Sequence, residues 1–467
     1  MSGRAKTAVV IGTGAGGGMM AKELQGKYQV TILEAGGDFK PLSLPINQLA
    51  RFRHSGLFFD ERLIRLLFPN MLVEKAKDMV IVRGSGVGGT TTLATGNAAR
   101  CDGALKALGI NLDAQFEELY RELPVTTEHQ KNWTETTKKM YAVFEEMGLR
   151  PVVTPKLLDA PQCVGCGHCA VGCPTGAKWD ARALIAQAVA GGAELVTGCK
   201  VSGLEIAGKS VTGVHARRRG KKTVFHADLI VLAAGGLGTP IILQNSGIPC
   251  AKTLFVDPVL CVAGPSPGFG QDKQTLMPFI SQQNGYILSP YMDYLSFFFN
   301  RKWYLPMSNL ASVMIKLADE ETGATDGKRI DKALTPVDRE RMEKAVAQSR
   351  EILIRLGFPE EKQFLGTWNA GHPGGMLPLT AAEKDTLHHP SLPDNLYVAD
   401  ATILPKSLGN PPILTIMALA KKNRGASVSN AQAAFKRTAC ALRSLSRMDK
   451  SAKRTASGAP IRLQKTR

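Results

Sequence analysis

The first forty residues constrain this chain more than any other stretch. Ala8-Val9-Val10-Ile11 is an apolar run that stops at Gly12, and glycine returns at Gly14, Gly16, Gly17 and Gly18 before helical spacing begins. That order reads as a buried strand, a tight turn and a helix N-terminus. Gly12, Gly14 and Gly17 stand at G-x-G-x-x-G spacing. The first glycine permits the turn, the second lets a pyrophosphate approach the backbone, the third lets the helix pack on the strand, and the helix dipole favours the phosphate charge. A second strand, Gln29 to Leu33, ends in Glu34, an acid about twenty residues on that can accept from ribose hydroxyls. A glycine triplet alone is a weak signal. Strand, triplet, helix, strand and acid in this order predict that Gly12, Gly14, Gly17, Gly18 and Glu34 hold an adenine dinucleotide.

A chain of 467 residues can bury a large core and form two domains. Its 44% apolar and 21% charged content is ordinary for a soluble globular protein, and no apolar run of about eighteen residues predicts a membrane span. The first strand begins too early for a signal peptide and no twin-arginine leader precedes it, so a cytoplasmic protein is expected. The net charge of +18 suggests nucleic acid until its distribution is read. Lys436 to Arg467 holds ten Lys or Arg against one acid, Asp449, so about half of the excess lies in a Ser-, Ala- and Thr-rich tail. A solvated, disordered tail is the simplest reading; contact with anionic lipid at the inner membrane face or with an acidic partner comes next, and no nucleic-acid partner is expected.

Gln48 to Phe68 is mixed aromatic and basic, a buried helix by default and a greasy lip at a substrate entrance as the alternative. Met79-Val80-Ile81-Val82 then delivers a second glycine-rich loop, Arg83-Gly84-Ser85-Gly86-Val87-Gly88-Gly89-Thr90-Thr91-Thr92, whose hydroxyls can donate to phosphate or to flavin ring atoms. A dinucleotide-binding start followed by a Gly-Gly-Thr loop resembles the glucose-methanol-choline (GMC) family of FAD-dependent oxidoreductases. Leu229-Ile230-Val231-Leu232-Ala233-Ala234 running into Gly235-Gly236-Leu237-Gly238-Thr239-Pro240 resembles that family's second signature. The resemblance covers most of residues 7 to 255 and 366 to 430. It implies that Gly88, Gly89 and Thr90 face the flavin, that Val201 offers backbone groups to the adenine, and that Asp400 contacts the ribityl or pyrophosphate region.

Leu112 to Met147 reads as helical and polar-faced, Ala177 to Ala190 as a helix, and Ser210 to His226 as a hairpin with Arg217 to Lys222 at its tip. From about Phe255 to Phe364, prolines, glycines and aromatics suggest sheet and loop around an apolar pocket, with a helix from Pro336 to Leu356 started by Thr335-Pro336. The expected fold class is α/β. A discontinuous Rossmann-like FAD-binding domain spans 1–255, with a cysteine-rich segment at 161–178, and returns over 366–430. An α+β substrate domain on an antiparallel sheet spans 256–365, and the basic tail 436–467.

Nine cysteines are present, and Cys163, Cys166, Cys169 and Cys173 fall within eleven residues at C-x2-C-x2-C-x3-C-P spacing. That is the bacterial ferredoxin pattern, and in a chain expected to be cytoplasmic it points to metal or cluster ligation before disulfides. An iron-sulfur cluster, 4Fe-4S or 3Fe-4S, is the first reading. Either Cys173 closes it, or Cys101, Cys199, Cys250 or Cys261 supplies the last ligand, or a three-iron cluster forms. Reduced thiols and a zinc site are the alternatives, and some GMC-type sterol and long-chain alcohol enzymes resemble this chain in carrying such a stretch without an established cluster. His168 reads as a bystander.

Trp368-Asn369-Ala370-Gly371-His372-Pro373-Gly374-Gly375 sets a histidine before a glycine pair, and Gly409-Asn410-Pro411 precedes a helix from about Ile413. The resemblance makes His372 the active-site histidine and Asn410 its polar partner, as in the sterol-oxidase-like branch. Alcohol oxidation needs such a pair, because the hydroxyl proton must leave while the carbon-bound hydrogen departs as hydride; an imidazole can take the proton and an amide can hold the oxygen. His388 and His389 read as surface residues. The reading is an FAD-dependent dehydrogenase acting on the CH-OH group of a small alcohol-type molecule, with electrons leaving through the cluster to a redox protein or quinone-linked acceptor. Two alternatives stand beside it: a flavin-dependent reductase fed by a low-potential donor through the same cysteines, and an electron-transfer subunit of a larger complex.

Overall fold

The computed structural model describes residues 4–39, 68–300, 303 and 307–423. The aromatic stretch from Gln48, apart from Phe68, and the basic tail lie outside the described residues. The apolar run at the start becomes strand β1 (Thr7–Ile11), followed by helix α1 (Ala15–Glu23) and strand β2 (Gln29–Leu33). β1 is buried along both faces because it is central in a five-stranded sheet, with β2 and Glu194–Val196 on one side and Leu229–Leu232 and Leu396–Val398 on the other. All neighbours in that sheet run parallel, which is why its strands read as continuous apolar runs. The last strand, about 390 residues after the first, joins this sheet at its edge.

The turn between β1 and α1 works only with glycine. Gly12 has φ +103°, and a Cβ added to it would come within 2.2 Å of the Ala233 carbonyl oxygen. One at Gly16 would lie 1.5 Å from the Ala399 carbonyl oxygen, and one at Gly17 2.1 Å from that of Gly12. The start of α1 is therefore wedged against the ends of the strands arriving from residues 229–232 and 396–398.

A nine-stranded, mostly antiparallel sheet forms the second layer system, centred on Pro258–Pro265 paired with Leu310–Leu317. β3 (Met71–Lys75), β4 (Val80–Gly84), Val152–Val153 and Asn369–Ala370 are also strands of this sheet, although they lie outside residues 256–365. Its other face is covered by the helix Pro336–Arg355, whose Thr335 and Asp338 form a reciprocal capping box with Pro336 in the first turn. Met342, Ala345, Ile352 and Leu353 of that helix pack with Leu260, Val313 and Ile315 of the sheet.

Residues 112–147 are not one helix. They form Asp113–Glu122 and Glu135–Glu146, because Pro124 forces Leu123 into an extended conformation and Thr134 caps a new helix by accepting from the Thr137 amide. The helix expected from Ala177 starts later, at Arg182. The hairpin falls where the alternation put it, Ser210–Arg218 against Lys221–Phe225, with positive φ at Arg219 and Gly220 in the turn.

Candidate active site

The nucleotide end is built from the two glycine loops and one acid. The Glu34 carboxylate accepts from Thr13 Oγ1 at 2.5 Å, from the Gly36 amide at 2.8 Å and from the Gly86 amide at 3.2 Å. The Gly88 amide in turn donates to Thr13 Oγ1 at 3.1 Å. Glu34 thus ties the first glycine loop to the second, a link the spacing did not announce; its Oε1 accepts both amides, and its Oε2, which accepts only from Thr13, keeps a lone pair for a ribose hydroxyl. Cys199 donates its amide to the Glu34 carbonyl at 2.8 Å, which brings Val201, two residues along the same strand, near this end. A Cβ built on Gly14 meets nothing within 4 Å, and neither does one on Gly235 or Gly37, so the head of α1 opens onto free space. These residues fit an adenine dinucleotide such as FAD.

Asp400 lies at the end of the strand Leu396–Val398 and is buried. Its carboxylate accepts from the Gly235 amide (2.9 Å), Thr239 Oγ1 (2.5 Å) and the Thr402 amide (2.9 Å), and burial raises its pKa above the ordinary carboxylate value. It therefore caps the helix Gly235–Asn245 from outside the helix's own sequence. Gly88, in the left-handed region, starts the short turn Gly89–Thr92, and Thr90 reaches the cavity described next.

A cavity of about 140 Å³ lies between the glycine-rich loop and the large sheet, with Met71, Leu93, Val171, Val259, Tyr294 and Met314 among its apolar walls and Lys316 and His372 among its polar ones. His372 follows the short strand Asn369–Ala370, and its loop is pinned by paired backbone bonds between Phe255 and Gly374. Its side chain is 21% exposed. Nδ1 is buried and makes no well-aligned hydrogen bond among the described residues, but it stands 3.4 Å from Asp257 Oδ2. The ring's exposure therefore falls away from Nδ1, toward the Nε2 side. Asp257 also bonds Lys316 Nζ through Oδ2 and Ser407 Oγ through Oδ1. Burial, and then the charge of Lys316, pull the His372 pKa below its ordinary value against the opposing pull of Asp257. Burial works to raise Asp257, but Lys316 and His372 outweigh it and leave that carboxyl below the usual range.

Asn410 sits two residues beyond Leu408 in the segment carrying Ser407. Its Nδ2 donates to Gln282 Oε1 at 2.8 Å, while its Oδ1 is buried with no partner among the described residues. Its neighbours Pro411 and Ile413 line the cavity. Asp257, Lys316 and Ser407 escaped the sequence reading. Lys316 had left a signal, being the only charge in the mostly apolar strand Leu310–Leu317.

The four clustered cysteines do not form a donor set: among the described residues, no three His, Cys, Asp or Glu side chains converge on a metal position. Cys163 Sγ lies 3.7 Å from Thr275 Oγ1, and Cys173 Sγ accepts from the Lys178 amide at 3.5 Å. The loop is also held to a neighbouring segment. Tyr294 donates its hydroxyl to the Gly167 carbonyl at 2.6 Å, and a Cβ on Gly167 would come within 2.3 Å of the Asp272 carbonyl oxygen. His168 Nδ1 meets the Cys166 carbonyl oxygen at 2.5 Å, the local contact of a bystander. This arrangement does not fit an iron-sulfur cluster. Two buried lysines flank the loop: Lys178 Nζ donates to the carbonyls of Thr91 (3.1 Å), Thr92 (2.7 Å) and Ala94 (2.7 Å), and Lys156 Nζ to those of Thr95 (3.3 Å) and Leu276 (2.6 Å) and to Asn97 Oδ1. Burial lowers their pKa values to about 8 and about 7.

Comparison with known proteins agrees with this geometry. The family model described as GMC oxidoreductase matches residues 8–271. An uncharacterized protein of Methanocaldococcus jannaschii is 24% identical over 417 residues, 88% of this chain and 97% of its own length. An uncharacterized GMC-type oxidoreductase of Mycobacterium tuberculosis is 30% identical over 265 residues, 52% of this chain and 39% of that one. The long-chain-alcohol oxidase FAO1 of Arabidopsis thaliana is 23% identical over 359 residues, 59% of this chain and 47% of that one. The match thus spans less than half the length of these two relatives, the mycobacterial protein and FAO1. Among solved structures, pyridoxine 4-oxidase from Mesorbium loti superposes with a TM-score of 0.66 at 16% identity, covering 90% of this chain and 98% of that one, which shows a shared fold. With a dinucleotide cradle, a histidine-bearing cavity beside it and the family model spanning more than half of its residues, the chain belongs to the GMC oxidoreductase family.

Proposed function

We propose that this protein oxidises the CH-OH group of a small, largely apolar alcohol with FAD as its cofactor and His372 as the base. The observation that carries the reading is the setting of His372: one ring nitrogen is buried beside Asp257, while the rest of the ring faces an apolar cavity that also touches Thr90 of the Gly-Gly-Thr loop. Bound FAD supplies a two-electron acceptor for the carbon-bound hydrogen. The chain's own part is to take the hydroxyl proton at His372, which its lowered pKa keeps neutral near pH 7, and to orient the alcohol. Asn410 is the polar partner we assign on resemblance: its neighbours Pro411 and Ile413 line the cavity, and its amide would hold the substrate oxygen by donating from Nδ2 once that group turns from Gln282. The apolar walls exclude water from the developing charge. The name of the plant relative, a long-chain-alcohol oxidase, supports the substrate class.

The test is His372→Gln. Anaerobic mixing with an alcohol should bleach the wild-type flavin, and the variant should retain FAD but bleach about 10²–10⁴-fold more slowly. Bleaching at the wild-type rate removes the base.

The cysteine run supports a second, separate reading, an iron-sulfur exit for electrons. Its spacing supports this. The thiols would have to be drawn together from their described positions, so no step of the reaction is routed through them. Anaerobically purified protein without iron or acid-labile sulfide would end this reading and leave the first untouched.

A further inference from the structure

We infer that Asp257 is the positioning residue of the reaction: its carboxylate holds His372 in the tautomer protonated on Nδ1, so that Nε2 presents its lone pair to the substrate hydroxyl. This rests on His372 being the base. A neutral imidazole has two tautomers, and only the one with an unprotonated Nε2 can take a proton from an alcohol in the cavity. Nδ1 is a buried atom whose near neighbour is Asp257 Oδ2, at 3.4 Å. An acceptor-only group there selects the proton onto Nδ1.

The fold spends several contacts on keeping Asp257 in place. Its side chain is anchored on one oxygen by Lys316 from the strand Leu310–Leu317 and on the other by Ser407. Ser407 Oγ also accepts from the Gly409 amide at 3.3 Å, so the same carboxylate is coupled to the segment bearing Asn410. Its backbone sits at φ +52°, a region a non-glycine residue rarely adopts. That conformation is held from behind by Asp319, which accepts from the Asp257 amide at 2.8 Å and pairs with Lys332 at 2.7 Å. The charged groups facing His372 are thus Asp257 and Lys316, with Asp319 and Lys332 one layer back. When the alcohol is oxidised, its O–H proton bonds to Nε2 and its C–H bond breaks with the hydride going to FAD. The new imidazolium is then paired with a carboxylate that keeps its charge, and the carbonyl product leaves.

The experiment uses 15N-histidine-labelled holoenzyme, with His372→Gln to assign the His372 signals. The wild type should show a proton bound to Nδ1 of His372 and a neutral, unprotonated Nε2. Asp257→Asn, whose amide tolerates the left-handed backbone, can donate to Nδ1 and should move the proton to Nε2. Flavin reduction by 1-hexanol or benzyl alcohol should then slow by about 10²-fold or more, with KM within about threefold. Should loss of one charge unfold that variant, Asp257→Asn with Lys316→Met keeps the balance and should give the same two signatures. A wild-type spectrum without an Nδ1 proton overturns the inference whatever the variants do. So does an Asp257→Asn enzyme that reduces flavin within threefold of wild type while His372→Gln does not. If His372→Gln itself reduces flavin at the wild-type rate, the base assignment fails instead, and the spectrum still reports on the contact.

Discussion

His372 gains its character from its surroundings. Burial and the Lys316 charge both act against protonation, and the Asp257 charge does not fully offset them. The sign of the pH dependence follows: the ring is neutral above its lowered pKa, so kcat/KM should be level through neutral pH and fall only as pH drops below the ordinary histidine value of about 6.5. The same shift links to stability, because the unfolded chain binds the proton more readily than the folded one, and folding loses support as pH falls through that window. An acid limb centred above the ordinary value would show that the Asp257 charge wins. The sequence proposes His372 from a histidine set before a glycine pair and Asn410 from a Gly-Asn-Pro context, both by resemblance to the family. Asp257 was not, since an Asp-Pro step at a strand entrance resembles any turn, and its partner Lys316 lies 59 residues away. Only the folded sheet brings them together.

At the scale of the turn and helix, the glycines divide into those that pack and one that leaves room. Gly14 has φ −68° and an unobstructed Cβ direction, so Gly14→Ala should fold with a melting temperature close to wild type and yet bind FAD about tenfold or more weakly, its methyl standing where a phosphate approaches. Gly16→Ala should fail at an earlier stage, because its Cβ would overlap the Ala399 carbonyl at 1.5 Å and push α1 off the sheet. Circular dichroism and FAD titration separate the two cases, and equal FAD affinity for Gly14→Ala would move the phosphate elsewhere. The cysteine run marks the opposite limit of legibility. Its spacing specifies which residues could ligate and in what order, whereas convergence depends on where the loop docks. Here Gly167 packs against Asp272 and Tyr294 holds its carbonyl, contacts made by a segment about a hundred residues downstream.

Across the whole molecule, the site belongs to neither sheet alone. Gly12 to Glu34 come from the parallel sheet, whereas the Gly-Gly-Thr loop follows β4 and His372 follows Asn369–Ala370, both strands of the larger sheet. The chain passes between the two sheets repeatedly, with Leu396–Val398 returning to the first after His372. Alternation and glycine placement made the individual strands legible, but not this interleaving, which depends on pairings such as Asn369 with Val80 across nearly three hundred residues. A dinucleotide held by both sheets binds the folded state only, so it should stabilise the whole rather than one half. At free FAD a hundredfold above its dissociation constant, the linkage amounts to about 2.7 kcal/mol. Heating the holoprotein should therefore show release of flavin fluorescence and loss of far-ultraviolet circular dichroism at one temperature, which rises with added FAD. Flavin release well below the loss of secondary structure, or a melting temperature indifferent to FAD, would mean that one sheet alone carries the cofactor.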